Sequence, residues 1–169
     1  MRILAREATA GCVLDLGCAD GRHTEPLARL GFDLYACDAV DVEAARKRLA
    51  EVWGEEEATR RITPAKPAAL GYPDEFFDWV VAHGAYDEAT NAVDLTDALE
   101  ETRRVLKTGG WIYVAMRRRT VGEEATPEAL TRLFDEAGFV PAEPAEEAAE
   151  NGELLLRGIF RKVDAGTPL

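Results

Sequence analysis

Histidine, cysteine and positive charge are all scarce in this chain. Its 169 residues carry two histidines, three cysteines and 20 Lys or Arg against 32 Asp or Glu, a formal net charge of −12. That balance works against a polyanionic partner, because phosphate contacts need clustered cations, so a nucleic-acid partner is disfavoured. No apolar run approaches the length that crosses a bilayer, and the first residues lack the apolar centre of a secretory signal. Both absences point to a cytoplasmic protein without a membrane partner. Cys12, Cys18 and Cys37 are odd in number and lack paired metal-ligand spacing, so they read as buried free thiols suited to a reducing compartment. The acidic groups at 55–57 and 146–150 offer no metal-ligand spacing either and read as solvated faces or loops. There is no internal repeat, and the length fits one domain over residues 1–169.

What is present concentrates between Val13 and Asp38. That run reads as a buried strand, a glycine-bearing turn, a helix over 22–30 and a second strand ending in an acid. Gly17, Ala19 and Gly21 keep side chains small where the backbone bends and a ligand must approach closely. The helix that follows points its unpaired N–H groups at whatever fills the turn. Asp38 lies 21 positions after Gly17, where an acid can accept both hydroxyls of a ribose. A dinucleotide fingerprint asks for a third small residue where Arg22 stands, which weakens that reading.

Further along, strands and helices alternate, the pattern of a mostly parallel sheet covered on both faces. Strands are expected over 12–16, 34–37, 61–63, 77–82, 111–116 and 154–160, with a shorter one at 139–142: seven in a Rossmann-like, doubly wound α/β fold. Asp41 can cap a helix whose Ala45, Leu49, Val52 and Trp53 share a face, with Gly54 just beyond. Leu95, Ala98, Leu99, Thr102, Val105 and Leu106 form a second stripe, ended by Gly109. Thr126 and Pro127 open a third helix that buries Leu130, Leu133, Phe134 and Ala137 and stops at Gly138. The Ala-, Glu- and Pro-rich stretch at 141–152 reads as a solvated, mobile connection, and residues 1–11 as a short lead.

The segments Asp15–Gly21, Asp38, Leu70–Val81 (Leu-Gly-Tyr-Pro-Asp-Glu-Phe-Phe-Asp-Trp-Val-Val) and Leu99–Val114 (with Leu-Lys-Thr-Gly-Gly at its centre) stand in one order. In that order and spacing the chain resembles the class I S-adenosylmethionine-dependent methyltransferases, from about Val13 to Val140. The resemblance implies S-adenosylmethionine as cofactor and S-adenosylhomocysteine as product. It implies that Asp15, Gly17, Cys18, Ala19 and Gly21 surround the methionine part and Asp38 the ribose. Ala39, Val40, Ala69 and Leu70 would line the adenine, with backbone near Ala82 at its amino group. Asp15 can equally brace the turn without touching ligand.

Four departures stand out. Ala19 replaces the middle glycine, which requires that this residue avoid positive φ. Thr108 replaces the usual proline. Lys66 replaces an acid that accepts from the adenine amino group, leaving that contact to backbone or absent. Only residues 1–11 precede the first strand, where the family places covering helices, so a homodimer or a partner chain closing the site is one reading.

Methyl transfer from a sulfonium needs alignment, exclusion of water and sometimes a base. His83, just past the fourth strand, is the candidate base, and its bland alternative is simple packing. Tyr86 and Asp87 share its loop, and Tyr86 is taken with His83 as a catalytic candidate. His23 could touch the methionine carboxylate or merely sit solvated at a helix end. Arg117, Arg118 and Arg119 could recognise an anionic acceptor or pair with Glu123 and Glu124. The chain lacks the Asn/Asp-Pro-Pro-Tyr turn of nucleic-acid amino methylation and a Pro-Cys pair for cytosine, so a small-molecule acceptor is expected. A cofactor-binding protein with little activity alone, and a dinucleotide binder, remain as alternatives.

Overall fold

The computed structural model describes residues 11–164 apart from 88, 90, 91, 123 and 124. The strands are β1 (Cys12–Leu16), β2 (Asp33–Asp38), β3 (Ile62–Pro64), β4 (Phe77–His83), β5 (Leu106–Arg117), β6 (Phe139–Pro141), β7 (Glu146–Glu150) and β8 (Glu153–Lys162). Between them run α1 (Thr24–Arg29), α2 (Glu43–Trp53), α3 (Glu55–Arg61), α4 (Ala92–Val105), α5 (Arg118–Val121) and α6 (Pro127–Glu136).

One sheet in the order β3-β2-β1-β4-β5-β8-β6 organises the chain, with β7 also pairing β8. Strands β1 to β5 are mutually parallel, whereas β8 runs antiparallel to β5 and to both β6 and β7. The strand order reverses between β1 and β4, so their carboxyl ends open a crevice there.

Period-2 alternation in the strands supplies two apolar layers. Val13, Leu34, Ala36, Trp79 and Val81 face α1, α2 and α3 through Leu27, Ala45, Leu49 and Ala58. Leu14, Leu16, Val80, Ile112 and Val114 face α4 and α6 through Leu99, Leu130 and Phe134. Complete burial of such residues on both faces is what makes the sheet the rigid floor of the site. The helix starts follow local chemistry. Asp41 Oδ1 accepts from the Glu43 N–H at 2.9 Å, and Thr126 Oγ1 accepts from the Ala129 N–H at 3.2 Å ahead of Pro127.

Three expectations are corrected. The sheet has eight strands rather than seven, because the edge of β8 is shared end to end by β6 and β7. The acidic stretch at 141–152 therefore contains a strand, and Asn151 (φ 51°) and Gly152 (φ 82°) form the two-residue turn that returns it into β8. The second apolar stripe does not continue to Leu106. The helix ends at Val105 and the chain enters β5 at once, with a register irregularity opposite Phe77–Trp79.

Candidate functional site

The turn after β1 is tied to the end of β2 by its own backbone. The N–H groups of Gly17 and Cys18 both donate to the Cys37 carbonyl, at 2.8 and 3.0 Å. The Asp38 carboxylate then accepts from the Ala19 N–H at 3.0 Å through Oδ2 and from the Val40 N–H at 2.9 Å through Oδ1. One acid thus holds two loops at the spacing of a ligand. Gly17 (φ +76°) has no room for a side chain, since a Cβ there would lie 3.0 Å from Cα and Cβ of Ala85 in the loop after β4. Ala19 takes φ 48°, so the positive φ that the sequence reading required it to avoid is adopted, at a cost of about 1 kcal/mol.

These loops frame a groove of about 490 Å³ at the carboxyl ends of β1, β2 and β4. Gly17, Ala19, Asp38, Ala39 and Val40 line it, with Val40 87% exposed. The far wall is Ala65 and Pro67, not Ala69 and Leu70. A turn in which the Ala69 N–H donates to the Lys66 carbonyl at 2.9 Å redirects the chain there. Leu70 is consequently buried in the core, its N–H donating to Glu101 at 2.8 Å. Cys18 and Ala82 are buried, and Gly21 is packed against Ala45 and Leu49 of α2.

Asp15 also lies outside the groove lining. It is 2% exposed and accepts from the Thr24 hydroxyl at 2.5 Å, bracing the turn against α1. Burial pushes its carboxyl up to about 6, against the opposing effects of the Thr24 bond and nearby His23. The cysteines carry no disulfide, and burial holds all three thiols protonated.

His83 closes the groove at the end of β4 and also lines a neighbouring cavity of about 230 Å³ with Arg22, Asp87, Arg117 and Glu150. Its Nε2 lies 3.3 Å from Glu150 Oε2. Its ring stacks on His23, with centroids 4.7 Å apart and planes 20° from parallel. His23 is therefore not solvated at its helix end. Burial first, and the adjacent His83 second, pull its pKa below the ordinary histidine value. His23, at the N-cap of α1, His83, the last residue of β4, and Glu150, the last of β7, form a group whose donor atoms could reach a metal ion.

Tyr86 is corrected as a site residue. Its ring is 1% exposed in the core, its hydroxyl is 2.9 Å from Thr102 Oγ1, burial raises its pKa, and it lines neither the groove nor the neighbouring cavity. Its loop neighbour Asp87 instead accepts from the Arg117 N–H at 2.9 Å and the Thr120 hydroxyl at 2.8 Å. The arginine run is partly neutralised. Arg117 Nε lies 3.1 Å from Glu153 and Arg118 3.8 Å from Glu147, while Glu123 and Glu124 lie outside the described residues. Glu150 was expected only as part of a solvated acidic group, although the Asn151-Gly152 pair beside it is a strong hairpin signal.

A family model described as a methyltransferase domain matches residues 14–114. The ubiquinone biosynthesis O-methyltransferase of Dinoroseobacter shibae is 28% identical over 156 residues, covering 78% of this chain and 60% of that protein. The protein of the same name from Brucella ovis is 34% identical over 110 residues, covering 64% and 42%. The chain thus spans between about two fifths and three fifths of the length of these curated relatives. Among solved structures, 1,6-didemethyltoxoflavin-N1-methyltransferase of Burkholderia thailandensis, with its substrate and S-adenosylhomocysteine bound, superposes with a TM-score of 0.79 at 20% identity, over 96% of this chain and 76% of that one. A methyltransferase in complex with the Trm112 activator of Haloferax volcanii gives 0.74 at 18% identity, over 99% and 89%. At these identities the superpositions speak for the fold. No helix among the described residues is long and apolar enough to cross a membrane.

Proposed function

Because the chain belongs to the methyltransferase-domain family, with that model matching residues 14–114, we propose that its groove holds S-adenosylmethionine and that it methylates a small-molecule acceptor. The observation that supports this is that Asp38, the Gly17–Ala19 turn and His83 line one groove. The ribose hydroxyls would displace the backbone N–H groups now bound to Asp38, and Val40 with Pro67 would sandwich the adenine. The methionine part would follow the turn toward His83, leaving the acceptor to enter from the neighbouring cavity.

The curated relatives methylate oxygen by name, which supports a hydroxyl as the acceptor group. As the acceptor oxygen attacks, the S–CH3 bond breaks, the O–CH3 bond forms and the sulfonium becomes a neutral thioether. The hydroxyl proton must leave, and in the metal-free protein the His83 imidazole would accept it, a role supported by Glu150 3.3 Å away, which would steady the charged ring. The free thiols support a cytoplasmic setting. The structural neighbour bound to an activator supports a partner chain, or a second copy, as the cover of this site.

The test is transfer of labelled methyl from S-adenosylmethionine to a panel of small phenols, catechols, amines and thiols. Label in an oxygen acceptor is the expected result. Stoichiometric cofactor binding with no transfer across the panel would instead leave a binding protein that needs a partner.

A further inference from the structure

His23, His83 and Glu150 are separated by up to 127 positions in the chain and meet because β4 and β7 end, and α1 begins just after His23, at the same end of the strands. Their three donor atoms lie within 4.8 Å of one another. A tetrahedral ion with bonds near 2.0–2.2 Å needs its donors roughly 3.3 Å apart. The His83 Nε2 to Glu150 Oε2 separation is already 3.3 Å, so a shift of about 1–2 Å at the His23 ring, with a turn out of its stack on His83, completes the triangle.

A second observation points the same way. His23 Nε2 is buried without any hydrogen-bond partner, the one such side-chain atom among the described residues. A buried polar atom left unsatisfied is costly, and an imidazole nitrogen within 4.8 Å of ligand atoms on a second imidazole and a carboxylate has a natural electron-pair acceptor in a metal ion. We propose that His23, His83 and Glu150 bind a divalent transition-metal ion of the zinc or cobalt class, at the junction of the donor groove and the neighbouring cavity.

Two imidazoles and one carboxylate form a borderline N/O set suited to these ions rather than to calcium or magnesium, which take all-oxygen shells. Three protein ligands leave a fourth position open, as in catalytic rather than structural sites. His83 and Glu150 both line the cavity shared with Asp87, Glu153, Arg22 and Arg117, toward which that position would open. Asp87 and Glu153 offset the two arginines, and the chain's excess of acid favours cation capture. With the ion in place the His83 lone pair is committed to the metal, and an acceptor oxygen would take the open position. The ligand set stands whether or not methyl transfer is the activity.

The experiment uses chelator-stripped full chain without cofactor or acceptor, titrated with Co2+ and read by its visible absorption. Zn2+ displacement and equilibrium dialysis give the stoichiometry. One equivalent with the intense absorption of four- or five-coordinate Co2+ is expected, with binding at least ~10-fold weaker in His23→Gln and Glu150→Gln and unchanged in Glu136→Gln. Because His23 packs against the turn, the half-exposed Glu150 carries the test if His23→Gln fails to fold. No such spectrum at one equivalent, or variants that bind like the parent, would overturn the proposal. Loss of cofactor binding would bear on the proposed function and leave this result untouched.

Discussion

Replacing Asp15 by Asn should stabilise the protein at neutral pH and cost it about 1 kcal/mol in acid. The carboxyl is fully buried between β1 and α1, and burial pushes its pKa from 3.8 up to about 6. Between those values the folded protein holds this proton more tightly than the unfolded chain. Stability contributed by the protonated form is therefore present below pH 4 and lost as pH rises toward 6 and beyond. A shift of about two units corresponds to about 3 kcal/mol carried as a cost above pH 7. Asn keeps an oxygen to accept from the Thr24 hydroxyl but carries no charge, so it escapes that cost. Its extra N–H donors add an offset of about 1 kcal/mol that does not vary with pH, so the informative quantity is the change with pH. Urea unfolding of both proteins at pH 4, 5, 6, 7 and 8 should show the stability difference moving by about 3 kcal/mol in favour of the variant across the range. A difference that stays flat from pH 4 to 8 would refute the reasoning, and so would a trend of opposite sign.

Ala19→Gly should raise stability by about 1 kcal/mol in urea unfolding, because the native φ of 48° strains any residue with a Cβ. Tyr86→Phe should cost about 1 kcal/mol through loss of the bond to Thr102 and leave the methyl-transfer rate unaltered, as befits a core residue. Gly152→Ala should cost about 1 kcal/mol by forcing a Cβ into the turn at φ 82°, and a weakened hairpin should also loosen Glu150 from His83, seen as altered His83 ring chemical shifts by NMR at one fixed pH.

The crevice was readable because its signals are local. A strand, a turn of small residues, a helix and a closing acid lie within 26 consecutive residues, and the structure assembles them through backbone bonds to Cys37 and Asp38. Side-chain direction in the loops was not readable. Whether Tyr86 points into the core or the cavity depends on Thr102, a helix away, and whether Ala69 or Pro67 walls the groove depends on one turn at Lys66. Strand β7 was hidden by composition. Glu146, Glu147 and Glu150 suggest a solvated loop, yet an edge strand with an exposed face tolerates charge, and pairing with β8 supplies its backbone partners. Helix α3 was hidden in the same way: Glu57 pairs with Arg60 and Arg61 along its surface, and Ala58 alone is buried. Cluster residues brought together only by the closing of the sheet, such as His23 with Glu150, have no signature in spacing.

Calorimetric titration of S-adenosylmethionine into the parent chain and into Asp38→Ala tests the central claim most directly. The account predicts one site in the parent and at least ~100-fold weaker binding in the variant, since both the ribose contacts and the brace between the loops are removed. Equal affinity in the two proteins, or no binding to the parent, would contradict it.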